Sequence, residues 1–140
     1  MNTLNYKEDY PLLEKHPDKL KAMTGRLIDE LTIDRVLSGD VTIQDGRIHK
    51  DTLLMQAEIA QSAGDIQIAA NLRRAAELTN VPDELILQAY NTIRPYRGSL
   101  KEIHSIADIL KEKYDAAETA EFIREAGMIL KNSKRLKGDR

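Results

Sequence analysis

Two consecutive apolar stripes at helical spacing occupy the last third of the chain, and they constrain the fold more than any other feature. Leu100, Ile103, Ala107, Leu110 and Tyr114 recur three and four residues apart. After Asp115, the residues Ala116, Ala120, Ile123, Gly127 and Leu130 do the same. With 3.6 residues per turn, each set lies on one face of an α-helix. Two such faces joined by a short link predict an antiparallel helical hairpin. Ser99 caps the first helix, and Glu102 completes a capping box that satisfies N–H groups left over at a helix start. Gly127 sits mid-stripe, where glycine costs about 1 kcal/mol relative to alanine. Its presence predicts a close approach of the two helices.

The region before the hairpin reads as further helices. Lys50-Asp51-Thr52 opens one, with Asp51 or Thr52 as N-cap. Leu53, Ala57 and Ala60 recur along it, and Gly64 marks its end. Asp65 caps the next, which carries Ile68, Leu72, Ala75 and Ala76 on one stripe. Pro82, followed by Asp83 and Glu84, starts a third, because proline lacks an N–H that the first turn could not use and acids suit the positive end of the helix dipole. Its buried face is Leu85, Ile86, Ala89, Tyr90 and Ile93. Aromatic residues are only 4% of the 140 and there is no Trp, so the core is built from Leu, Ile and Ala, which suit helices better than sheets. A chain of this length buries roughly 70% of its unfolded surface, enough for a real core. The expected fold is all-α: a small helical domain over residues 50–140, preceded by an irregular, extended N-terminal arm over residues 1–49.

That arm is interrupted by Pro11, Pro17, Gly25, Gly39 and Gly46. Only short helices fit, such as residues 18–23 and 32–37. Yet it is not a polar tail. Tyr6, Tyr10, Leu12, Leu13, Leu20, Leu27, Ile28, Leu31, Val36, Leu37, Val41 and Ile43 are spread along it. A segment this broken cannot bury those side chains by itself. Either it wraps the helical domain, or it lies on another chain, or both.

Charge and composition exclude several functions. The formal net charge is −2, with 21 basic residues against 23 acidic ones, so the concentrated positive field of a nucleic-acid binder is absent. The basic residues near the C-terminus (Lys131, Lys134, Arg135, Lys137, Arg140) suit the negative end of a helix dipole, the alternative being a basic docking tail. With no Cys, disulfides, thiolate chemistry and most structural zinc sites drop out, which fits a reducing cytoplasm. No apolar run approaches the roughly 20 residues of a bilayer span. The start, residues 1–8, has neither a basic beginning nor an apolar stretch and does not read as a secretory signal. His16, His49 and His104 are too far apart for a metal-ligand pair on a helix. Phosphate-binding, dinucleotide and nucleophile-elbow motifs are missing. Asp108 and Glu112 share a helix face, but Lys111 and Lys113 alternate with them in the manner of a solvated surface. The expected catalytic, cofactor-binding and metal-binding residues of this chain are therefore none.

One connector stands apart. Arg94-Pro95-Tyr96-Arg97-Gly98 combines a fixed turn, an amphipathic ring and two bidentate donors. Tyr and Arg are enriched at interface hot spots. The alternative is a plain helix connection in which Arg94 bonds the preceding carbonyls.

Taken in order, the blocks Asp9-Tyr10-Pro11-Leu12, Val36-Leu37-Ser38-Gly39, Gln44-Asp45 with Arg47-Ile48, Arg74-Ala75-Ala76-Glu77-Leu78, Val81-Pro82-Asp83-Glu84, Ile86-Leu87, Tyr90-Asn91, Arg94-Pro95-Tyr96-Arg97, Ile106-Ala107-Asp108, Phe122-Ile123-Arg124-Glu125-Ala126 and Leu136-Lys137-Gly138-Asp139 resemble the small (gamma) subunit of coenzyme-B12-dependent diol and glycerol dehydratases. No single block is diagnostic; the ordered set spans nearly the whole chain. The resemblance implies an enzyme that converts propane-1,2-diol or glycerol to an aldehyde and water, with adenosylcobalamin as radical source. It implies a large TIM-barrel subunit holding substrate and potassium, a medium subunit sharing the cobalamin, and a dimer of such heterotrimers. It places no catalytic or cobalamin-binding residue on the small subunit. Many such subunits carry a long N-terminal extension that targets a bacterial microcompartment. Here about eight residues precede Asp9, so the expectation is a cytoplasmic chain that would enter a compartment through another subunit. Gly46 stands where the family often has a bulkier residue. Expected subunit contacts are Tyr10, Leu12, Arg94, Tyr96 and Arg97. Without the resemblance, the residues leave a free-standing helical adaptor open.

Overall fold

The computed structural model describes residues 3–140. Among them the regular structure is helical, with two isolated bridges, Lys21 to Leu27 and Ala22 to Ile48, the only β-type pairings. The chain forms two compact units, Met1–Thr79 and Asn80–Arg140.

The second unit contains the hairpin that the stripes predict. For it and the rest of the chain we number the α-helices in order: α1 Tyr6–Asp9, α2 Leu12–Lys15, α3 Ile33–Leu37, α4 Lys50–Ser62, α5 Ile66–Leu78, α6 Asp83–Thr92, α7 Leu100–Tyr114 and α8 Ala117–Asn132. Helices α7 and α8 are joined through Asp115, whose φ of 53° turns the chain sharply. Their register is antiparallel: Arg124 of α8 meets Asp108 of α7 at 2.5 Å, and Gly127 lies against Ile103. Ile103, Ile106, Ala107 and Leu110 are buried from one side and Ala116, Ala120, Ile123 and Leu130 from the other. Burying a side chain of Leu or Ile size contributes about 1.5–3 kcal/mol, so this seam dominates the unit's stability. The capping box forms: the Ser99 hydroxyl accepts from the Glu102 N–H at 3.2 Å, and the Glu102 carboxylate accepts from the Ser99 N–H at 2.8 Å. A Cβ on Gly127 would stand 2.9 Å from the Ile103 methyl, which is the close approach that the glycine implied.

Helix α6 begins one residue after Pro82, with Asp83 and Glu84 in its first turn. Its buried residue is Ala89; Leu85, Ile86 and Ile93 are half-buried, and Tyr90 faces outward. The expected face was thus one residue too wide.

In the first unit, α4 and α5 pack on each other across Gly64, whose φ of 89° is the left-handed conformation that a glycine stop supplies. The cap of α4 is His49, whose Nδ1 accepts from the Asp51 N–H at 3.1 Å, rather than Asp51 or Thr52. On α5 the fully buried residues are Ala69 and Ala76, while Ile68 is exposed. Small side chains let α4 and α5 approach closely, and the larger Ile68 and Leu72 turn away to line a groove.

The N-terminal segment packs onto these helices. Leu12 and Leu20 bury against Ile59 of α4, with Leu4 and Met55 alongside. The Leu4 and Tyr6 N–H groups donate to Glu58 and Ser62 of α4 at 3.1 and 2.8 Å. The described part of the arm, residues 3–49, therefore packs on α4 and α5, one of the two placements left open for it, and belongs with them to the first compact unit. The 18–23 segment forms only a 3-10 turn, Pro17–Lys19, whereas the short helix expected over 32–37 forms as α3, with Thr32 as its cap, the hydroxyl accepting from the Arg35 N–H. Of the start that lacks a signal pattern, Met1 and Asn2 lie outside the described residues.

Candidate subunit-docking surface

Beyond the small Leu12–Leu20–Ile59 cluster, the arm is ordered by polar groups. Asp45, buried in the 3-10 turn Ile43–Gly46, accepts from the Thr24 hydroxyl at 2.5 Å and from the Thr42 N–H at 2.8 Å, and the Arg26 guanidinium lies 3.4 Å away. The Thr24 hydroxyl, then the Thr42 N–H, holds its carboxyl below the usual carboxylate range. Arg26 donates to the Asp40 carboxylate at 2.9 Å and to its carbonyl at 3.1 Å. Arg35 reaches Glu30 at 3.1 Å and Asp40 at 3.7 Å. Nearer the start, Asp9 accepts from the Asn5 N–H at 2.7 Å and meets the His16 ring at 2.6 Å. These hydrogen bonds, the backbone one first, lower the Asp9 pKa. Two of these contacts are local, Asn5 with Asp9 and Thr42 with Asp45, but Thr24 and Asp45 are 21 residues apart. Arg26 and Asp40 are 14 residues apart and meet only because the loop closes, so the sequence carried no signal for them.

The five expected contact residues divide between the units. Tyr10, after α1, is 65% exposed and borders an apolar groove of about 800 Å³ lined by Pro11, Leu13, Ile59, Ile68 and Leu72 among others. Leu12 is only 6% exposed. Its side chain anchors the arm in its own core, because α2 turns it toward Ile59, and is not presented to a partner. In the other unit, Arg94, Tyr96 and Arg97 are exposed on one connector. The Arg94 guanidinium lies 5.7 Å over the Tyr90 ring and that of Arg140 5.1 Å over Tyr96. The Tyr96 N–H donates to the Arg135 carbonyl at 2.6 Å, and the Lys137 N–H to the Gly98 carbonyl at 2.9 Å. A Cβ on Gly98 would collide with the Thr92 backbone. The connector is thus a fixed platform of rings and guanidinium groups held by cation–π and backbone contacts.

The histidines are engaged separately: His16 with Asp9, His49 as a helix cap, and His104 exposed. Among the described residues, no three His, Asp or Glu side chains converge as a metal site. No helix among them is long and apolar enough to cross a membrane.

One unit thus presents ordered exposed apolar side chains, and the other a connector of Tyr and Arg side chains. The sequence comparisons name the family. The family model for the dehydratase small subunit matches residues 5–137. A propanediol dehydratase small subunit from Citrobacter freundii is 50% identical over 131 residues, covering 94% of this chain and 76% of that relative. Its counterpart from Salmonella typhimurium is 49% identical over the same shares. The chain belongs to the dehydratase small subunit family, and the reading of a free-standing adaptor is set aside.

Proposed function

We propose that this chain is the small subunit of an adenosylcobalamin-dependent propanediol or glycerol dehydratase, and that it stabilises the large subunit and the assembled complex without supplying a reacting group. The observation that carries this reading is the 50% identity to a propanediol dehydratase small subunit over 94% of the chain. The ordered but uncovered apolar arm supports it, since a free monomer gains nothing by fixing such side chains in water. The reaction would convert a 1,2-diol to an aldehyde with release of one water, on a large TIM-barrel subunit that also holds potassium. The medium subunit would share the cobalamin with it, in a dimer of heterotrimers. Tyr10, Arg94, Tyr96 and Arg97 would touch partner side chains, and Leu12 would support Tyr10 from beneath. The complex would work in the cytoplasm, or in a microcompartment reached through another subunit.

Co-expression with the large and medium subunits of the same source tests this. With adenosylcobalamin and potassium, the three-chain complex should turn over propane-1,2-diol or glycerol. The same preparation without this chain should lose activity or aggregate. Full, stable activity without it would defeat the proposal.

A further inference from the structure

The loop of residues 26–45 has an organisation that subunit membership alone does not explain. Ile33, Leu37 and Ile43 are the three most exposed large hydrophobic side chains among the described residues, at 78%, 79% and 87%. Ile33 and Leu37 are four apart and share one face of α3, with exposed Val36 beside them. A five-residue helix is not stable by itself. It is held here by Arg35 on Glu30 and Asp40, by Arg26 on Asp40, and by a hydrogen bond from the Val41 N–H to the Arg35 carbonyl at 3.0 Å that closes the loop. The polar groups thus fix the backbone while the apolar tip remains in water. That is preorganisation for binding, because the ordering entropy is met before the partner arrives.

Charge specifies the partner. Residues 26–45 hold two arginines, five acids and no lysine. Both arginines are engaged by acids within the loop. Asp29 and Asp34 remain exposed around the tip. The surface offered is therefore apolar at its centre and negative at its rim.

Resting on the small-subunit reading, we infer that this loop is a docking knob, and that it inserts into an apolar pocket rimmed by lysine or arginine on another subunit of the same dehydratase. The apolar centre supplies affinity, and the acidic rim speeds and orients the encounter.

The test measures assembly of the intact chain with the other subunits by pull-down and titration. The double variant Ile33→Ser/Leu37→Ser should weaken assembly by tenfold or more, with its helical circular dichroism and thermal midpoint unchanged, since these side chains are already in water. Ile43→Ser, outside α3, should weaken it in the same direction if the double variant proves unfolded. Asp34→Lys should slow association, and the slowing should shrink as salt rises. Wild-type assembly matched by both serine variants would overturn the knob and leave the subunit reading standing. Failure of the wild-type chain to assemble would overturn both. Self-association of the isolated chain that the serine variants abolish would assign the knob to a second copy and overturn the inference.

Discussion

The two units of this chain are stabilised in opposite ways. The unit Asn80–Arg140 is held by a seam of apolar side chains, with Ile103 and Leu110 fully buried and charged residues left to the outside. The unit Met1–Thr79 buries Leu12, Leu20 and Ile59 as a thin cluster and depends on Asp9, Asp40, Asp45, Arg26 and Arg35 to give its arm a shape. A packed seam resists deformation because each side chain touches many others. A polar frame fixes a backbone while leaving apolar side chains outside, which is what a docking element needs.

The largest expected effect of that difference is in cavity formation. Leu110→Ala should destabilise the hairpin by about 3–4 kcal/mol, because the surrounding seam cannot collapse into the space. Leu20→Ala removes the same atoms from a cluster beside an open groove and should cost nearer 2 kcal/mol, the low end of the range for such changes. Urea unfolding followed by amide exchange in α8 and in α4 would measure both. Equal losses would mean that the arm is as well packed as the hairpin.

This contrast also decides what could be read in advance. The hairpin was legible in its main lines: both stripes, the Ser99–Glu102 box and the Gly127 contact follow from a periodicity of 3.6, although the buried Ile106 and Thr119 lay outside the stripes. The α5 stripe was misjudged because Ala69 and Ile68 are neighbours and either could head a face; packing against α4 chose the smaller. The arm resisted for a different reason. Arg26, Asp40 and Asp45 meet through loop closure, which has no period, and Leu12 looked like Tyr10 until α2 turned it inward. The candidate contacts on the Arg94–Gly98 connector stood out because Pro, Tyr and Arg are distinctive side chains in a short space. The apolar tip of α3 was visible only as hydrophobic residues without a place.

Acid separates the two units next. Asp9, Glu30, Asp40 and Asp45 in the first unit all have pKa values lowered, chiefly by hydrogen bonds from Asn5, Leu27, Arg26 and Thr24 respectively. In the second unit the lowered acid is Glu102, through the Ser99 N–H and hydroxyl. A carboxylate whose pKa is lower in the folded chain binds protons less readily there than when unfolded. Its stabilising contribution is complete above the ordinary values of 3.8 for Asp and 4.5 for Glu, and is lost as the pH falls below them toward the depressed value. Between pH 6 and pH 3, amide protection in residues 20–48 should therefore fall well before protection in α7 and α8. Asp45→Asn should weaken the arm at pH 6 and flatten its response to acid. Parallel loss in both units would remove the polar frame as the distinction between them.

The smallest effect tests the seam at its tightest point. Gly127→Ala adds a methyl group 2.9 Å from an Ile103 methyl, with Leu100 at 3.4 Å on the other flank. Alanine should gain about 1 kcal/mol of helix propensity, and overpacking a buried contact costs about 1–3 kcal/mol. Ile103 is fully buried and cannot swing aside, so the clash should win by about 1 kcal/mol. An exposed glycine with nothing within 4 Å, such as Gly46 in the arm, offers the opposite case: Gly46→Ala meets no neighbour and should leave stability unchanged or slightly raised through the unfolded chain. Thermal unfolding of the two variants side by side would read the sign. A stabilised Gly127→Ala would mean that α7 and α8 can part slightly without loss, so that the hairpin is a looser seam than its burial implies.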